Sequence, residues 1–271
     1  MIVATGPALY RARRPRLDVR VGLAYRVKAM STTRTRPVVI QLVNSLALAG
    51  AEHVAVSLAT HLDAEHWDVR MIVVRDGPLR RSLDEAGIPV TVTGHEFDHR
   101  FPLVVRSLAR EFREQRPDVL HTHLIGSDIV GRLAARVADV PVVVSTQHDV
   151  YERAWHYDAF RRYTGRRISA TVACSSAVED YCRTVLRIPE DRLFHIDNGV
   201  DTARYISSRM PMRQPVTFGA VGSLISAKGH DVLVRALAGI ADTLPGSRVL
   251  VAGEGVERER LSGLAADLGI C

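Results

Sequence analysis

His121 and His123 stand one residue apart, at the end of the short run Asp118-Val-Leu120. A neutral imidazole carries one hydrogen-bond donor and one acceptor, so such a pair suits recognition of hydroxyls or stabilisation of developing charge. With a strand period of two, both rings face the same side of a sheet wherever the strand continues. Thr146-Gln-His148 places another histidine after the next apolar run. A metal would need a third ligand of credible spacing, and the sequence offers none, so we expect no metal. The plainer alternative is a pair of polar strand ends bonded to backbone.

A second constellation runs from Val221 to His230, reading Val-Gly-Ser-Leu-Ile-Ser-Ala-Lys-Gly-His. Gly222 lets backbone approach a ligand closely, and Lys228 supplies a point charge for a diphosphate. The spacing fits neither a Walker loop nor a dinucleotide fingerprint. Val251-Ala-Gly-Glu-Gly255 follows the next strand-like run and brings Gly253 and Glu254 forward as ligand contacts, or else as an ordinary strand-to-helix turn. Leu48-Ala-Gly-Ala-Glu52 turns a strand into a helix, where Gly50 and the free N–H groups suit an anion or sugar hydroxyls. Asn198-Gly-Val-Asp201 reads as a turn, with Asn198 a further candidate contact.

Alternating strands and helices must position these residues. Strand-like runs span 38–43, 67–74, 89–92, 118–121, 141–146, 168–173 and 193–196, and helical patterns span 49–62, 79–86, 103–115, 127–138 and 151–163. Ser176-Ala-Val-Glu179 reads as a capping box that opens another helix. Such alternation means βαβ units and a buried parallel sheet, whose right-handed crossovers put every strand carboxyl end on one edge. Ligands bind at that edge, and 44–50, 121–126 and 147–149 all fall on it. Thr202 to Pro215 reads as a linker, and a new series follows with strands at 216–221 and 248–252 and helices at 229–241 and 256–268. Two strands leave that second sheet an exposed edge and little core of its own.

Composition excludes several classes. The net charge of +6 belongs to residues 1–36, which carry nine Arg or Lys against Asp18, so the rest of the chain sums to −2. A nucleic-acid binder needs its basic face on the fold itself, so none is expected as a partner. The arm is read either as a disordered basic tail touching anionic lipid or, preferably, as a miscalled start ahead of Met30. It contains no apolar run long enough for a signal peptide or a membrane span. Cys174, Cys182 and Cys271 make neither a disulfide frame nor a zinc site and fit a reducing cytoplasm, with Cys174 and Cys182 as small core fillers. Arg106, Arg110 and Arg113 read as the solvated face of a helix, the alternative being a helix lying on the inner membrane surface.

Taken in order, Ala-Gly-Ala-Glu, His-Thr-His, Ser-Thr-Gln-His-Asp, Asn-Gly-Val-Asp, Val-Gly-x-Leu-x-x-x-Lys-Gly-His and Ala-Gly-Glu-Gly resemble family 4 glycosyltransferases. The resemblance implies a GT-B fold of two facing Rossmann-like domains, acceptor mainly on the first and nucleotide-sugar mainly on the second. It implies retaining transfer of a sugar to an acceptor hydroxyl, without a metal or bound cofactor. The nucleotide-diphosphate sugar enters as donor substrate, and the acceptor is a glycan, a lipid-linked sugar or a small molecule. It makes His123 the catalytic histidine that meets the transferred sugar, Lys228 the diphosphate grip and Gly50 part of the loop lining the cleft, while His121, His148, Asn198, Gly222, Gly253 and Glu254 remain substrate-binding candidates on their own chemistry. The expected α/β organisation is a basic arm at 1–37, an acceptor-side domain at 38–205, a linker at 206–215, and the opening β-α-β-α of a nucleotide-sugar domain at 216–271.

Two departures matter. Ser223 stands where the family usually has Arg, and no Glu here has another Glu eight positions on, so the family's paired-glutamate motif is missing. The chain is therefore read as a truncated transferase, inactive as it stands. The rival readings are a non-catalytic remnant that binds an acceptor or partner, and another GT-B enzyme such as a sugar-nucleotide epimerase.

Overall fold

The structure, a computed structural model, describes residues 35–94, 101–150, 155–166, 168–202 and 215–270. The basic arm through residue 34, the expected boundary at 205, nearly all of the expected linker and Cys271 lie outside them. The chain divides into two compact units, Met1–Val200 and Asp201–Cys271.

In the first unit β1 (Val38–Ser45), α1 (Gly50–His61), β2 (Asp68–Arg75), α2 (Arg80–Glu85) and β3 (Val90–Val92) come first. Then follow α3 (Phe101–Gln115), β4 (Val119–His123), α4 (Ile125–Val137), β5 (Val142–Gln147), α5 (Trp155–Gly165), β6 (Ala170–Ala173), α6 (Ser176–Thr184) and β7 (Leu193–His195). The strands form one parallel sheet in the order β3-β2-β1-β4-β5-β6-β7. That order reverses between β1 and β4, so the crevice between their carboxyl ends is the topological switch point where α/β folds bind ligands.

β1 reads Val-Val-Ile-Gln-Leu-Val because it is covered on both faces. On one face Val43, Met71 and Val73 meet the Ala55-Val56-Ala59 stripe of α1. On the other, Ile40, Leu42 and Leu120 meet Val104, Leu108 and Phe112 of α3, spaced four apart along one helix face. The helix α4 lies so close to the sheet that a Cβ on Gly131 would sit 2.6 Å from Leu42 Cδ2 and 2.8 Å from Thr122 Cγ2. Only glycine permits that approach without displacement. Arg106, Arg110 and Arg113 form the exposed face of α3, as read from the sequence. Cys182 is a buried core residue, its thiol pushed up to about 12 by burial, and Cys174 packs against the same core.

Two local expectations are corrected. The β4 strand continues to His123, two residues past the expected end, because His121, Thr122 and His123 all find β5 partners. The cap of α6 is Ser175, not Ser176: its Oγ accepts from the Val178 N–H at 3.3 Å. Glu179 instead pairs with Arg183 at 2.8 Å and His195 at 3.0 Å.

The second unit contains β8 (Thr217–Val221), α7 (His230–Ile240), β9 (Arg248–Ala252) and α8 (Arg258–Asp267). β8 and β9 pair in parallel, with Val221 90% and Leu250 59% exposed, as expected of so small a sheet. No helix among the described residues is long and apolar enough to cross a membrane.

Candidate active site

The site is built where the strand order reverses. Gln41 of β1 stands beside His121 of β4, and His123 lies beside Thr146 of β5, with His148 just beyond that strand. Because β4 continues as a strand, His121 and His123 do face the same side, with ring centroids 4.3 Å apart. The His148 ring stacks on His123 at 5.4 Å.

Each ring has a defined partner. His123 is 0% exposed; its Nε2 lies 2.8 Å from Gln41 Oε1 and its Nδ1 3.1 Å from His148 Nε2. His121 Nε2 lies 2.7 Å from Thr146 Oγ1. His121 and His148 are partly exposed, so they are the members of the cluster that a ligand at this edge meets first. Burial, and then the neighbouring His121 and His148, hold the His123 ring well below the ordinary histidine range. Burial followed by His148 lowers His121 to about 4, and burial lowers His148 to about 4. All three rings are therefore neutral near pH 7 and act by hydrogen bonding rather than by charge.

The turn that follows is strained. Leu124 has φ 66°, a left-handed conformation that costs a branched side chain on the order of 1–3 kcal/mol. It is held by the Ser127 hydroxyl, which donates to the His123 carbonyl, and by Asn44 Oδ1, which accepts from the Ser127 N–H at 2.9 Å. Asn44 thereby caps α4 from the end of β1.

Behind the cluster, on the opposite sheet face, lies a buried polar network that the sequence reading missed. Asp128 accepts from Thr122 Oγ1 at 2.8 Å and from Gln147 Nε2 at 3.1 Å, and pairs with Arg132 at 2.7 Å. Arg161, 1% exposed, donates to Gln147 Oε1 and to the Tyr181 hydroxyl, each at 2.7 Å. Gln147 precedes His148, so this network fixes the end of β5 from which His148 projects. The i, i+4 spacing of Asp128 and Arg132 inside the apolar face of α4 was the available signal.

The other expected residues lie elsewhere. Gly50 opens α1 and is exposed, with open space where a Cβ would stand. Glu52 of the same motif folds inward to accept from Ser45 Oγ at 3.3 Å. Asn198 is exposed beyond β7, at the far end of the strand order from β1. In the second unit Gly222 and Gly253 bring two loops together: Gly222 N–H donates to Ala252 O at 3.0 Å. A Cβ on Gly253 would lie within 1.9 Å of the Gly222 carbonyl oxygen, so loop packing alone requires glycine there. His230 is buried and donates from Nε2 to the Ser223 carbonyl at 3.2 Å, pinning the loop ahead of α7. Lys228 is exposed and has no ion-pair partner among the described residues, whereas Glu254 is tied to Arg258 at 2.6 Å. Among the described residues no group of three His, Cys, Asp or Glu is arranged to hold a metal ion.

The family model of Glycosyltransferase Family 4 matches residues 48–204, which run from the α1 loop through all of β4, β5 and the histidine cluster. The chain is 24% identical over 169 residues to the Escherichia coli UDP-Gal:alpha-D-GlcNAc-diphosphoundecaprenol alpha-1,3-galactosyltransferase, covering 58% of this chain and 43% of that protein. It is 29% identical over 154 residues to the GDP-mannose-dependent alpha-(1-6)-phosphatidylinositol monomannoside mannosyltransferase of Mycolicibacterium smegmatis, covering 52% and 40%. The match thus spans about two fifths of each of these curated relatives. Among solved structures, Anabaena HepE in complex with UDP and glucose superposes with a TM-score of 0.73 at 20% identity, covering 87% of this chain and 67% of that one. That likeness shows a shared α/β fold of the GT-B kind. With a family match across more than half its length, the chain belongs to glycosyltransferase family 4.

Proposed function

We propose that this chain serves transfer of a sugar from a nucleotide-diphosphate sugar to an acceptor hydroxyl, with retention at the transferred carbon. The observation that supports it best is the neutral cluster of His121, His123 and His148 at the switch point of a family 4 sheet. Neutral imidazoles bind hydroxyls without drawing in a counterion, which is what a sugar or an acceptor alcohol requires. His123 is the catalytic histidine of this reading. Buried with both nitrogens engaged, it acts through His148, to which its Nδ1 is bonded. Lys228 supplies the charge that stabilises the leaving diphosphate, so the chemistry is assigned to side chains and not to a metal.

The donor grip is weak. Ser223 brings no cation, and Glu254 is already paired with Arg258. These 271 residues by themselves therefore bind nucleotide without efficient transfer. The relatives named above act on lipid-linked acceptors. A lipid-linked acceptor at the inner membrane surface, reached from the cytoplasm, is the partner we assign.

Calorimetric titration with UDP, GDP and ADP tests the reading. At least one should bind saturably, more weakly as salt rises and more weakly in Lys228→Met. Absence of binding by all three, or a Lys228→Met chain that binds like the wild type, overturns it.

A further inference from the structure

Gln41 interrupts an apolar strand, is 1% exposed, and points its amide oxygen at a histidine that is itself fully buried. A polar group at that depth is retained only with a partner, and its partner fixes more than its own position. An amide oxygen can only accept. His123 Nε2, 2.8 Å away, must therefore carry the hydrogen. A neutral imidazole has one N–H, so His123 Nδ1 is left with a lone pair. That lone pair lies 3.1 Å from His148 Nε2, which must then be the donor. By the same rule His148 Nδ1 carries a lone pair. It has no hydrogen-bond partner among the described residues, and it belongs to the partly exposed ring of the pair.

We infer that Gln41 is a positioning residue: it sets a one-way hydrogen-bond chain, from His148 through His123 to Gln41, that makes the sheet edge present an acceptor to an incoming hydroxyl. The reverse chain is equally well formed chemically. With the Gln41 amide turned over, its nitrogen would donate to His123 Nε2, and His148 would present an N–H. The two polarities select different ligand atoms, since a hydroxyl hydrogen binds the first and a carbonyl or ether oxygen the second. Gln41 thus determines specificity without touching substrate. Burial keeps the rings neutral, as the chain requires, and His121, the other titratable group against His123, is neutral for the same reason. The inference rests on the proposed function only in naming a sugar hydroxyl as the outer partner.

The tautomers can be read directly from imidazole nitrogen resonances in long-range proton–nitrogen correlation spectra of the full 271-residue chain at neutral pH. His123 and His148 should each show a protonated Nε2 and an unprotonated Nδ1. In Gln41→Met, which has nothing to accept with, this single pattern should be lost at both rings, although His148 does not touch residue 41. Protonated Nδ1 at either ring of the wild type would overturn the inference, as would a folded Gln41→Met chain with unchanged tautomers. If Gln41→Met does not fold, the wild-type spectrum still decides the polarity. No turnover or ligand is needed, so a chain that shows the pattern yet binds no nucleotide would sink the proposed function and leave this inference standing.

Discussion

Acidification should weaken the first unit through its histidine cluster before its carboxylates protonate. The folded rings are held neutral, His121 and His148 to about 4 and His123 well below the ordinary value, whereas all three take up protons near 6.5 in the unfolded chain. Between those values the unfolded state binds more protons, so stability rises with pH and is lost as pH falls. Going from about pH 7.5 to about pH 5 costs about 2 kcal/mol for each fully shifted ring at 1.36 kcal/mol per unit. His121 and His148, both held to about 4, lose at most this much each, and less to the extent that their rings are partly in water. The buried His123 loses stability in the same direction, and the sum is a sizeable share of the roughly 5–15 kcal/mol that holds a typical domain. Both tryptophans of the chain, Trp67 and Trp155, lie in the first unit, so their fluorescence in urea titrations reports that unit alone. The double variant His121→Gln, His123→Gln should be less stable at neutral pH and should lose most of the pH dependence. A wild-type stability that is flat over this range, or a double variant with the wild-type slope, would refute the reasoning.

Three further outcomes are expected. Gly131→Ala should destabilise the first unit by roughly 1–3 kcal/mol in the same titration, because the new methyl overlaps Leu42 and Thr122. Arg161→Met should cost roughly 3–5 kcal/mol, since it leaves Asp158 and the Gln147 oxygen buried without their cation; a loss below about 1 kcal/mol would mean water replaces it. Gly253→Ala should abolish nucleotide binding and broaden the amide spectrum of the second unit, because its Cβ meets the Gly222 carbonyl and not a movable side chain.

The sheet was legible because its strands are apolar runs separated by helix-period segments; the alternation ended β4 at His121, and only pairing with β5 carries it on to His123. His121, His123 and His148 were legible as polar residues at strand mouths. What was hidden depends on contacts between distant positions. Gln41 looks like one polar interruption in Val-Val-Ile-Gln-Leu-Val until β4 is placed beside β1. Arg161 stands beside Arg162 in a helical pattern with nothing to mark it as buried, and only its partners Gln147 on β5 and Tyr181 on α6 show its place. Ser175 and Ser176 are chemically equivalent caps, and the choice fell to the Ser175 backbone, which is extended while Ser176 is helical. The sequence offered Gly253 as a ligand contact; the close Gly222 carbonyl supplies a reason for that glycine that no spacing could show.

The central claim is that the switch-point histidines of the first unit, with His148 outermost, receive a sugar hydroxyl. Amide and imidazole resonances followed during titration with UDP-glucose and GDP-mannose test it most directly. One of the two sugars should shift the His148 imidazole saturably. A shift absent from His148, or shifts confined to the groove around Arg136, Asp139 and Tyr163 at the other end of α4, would contradict it.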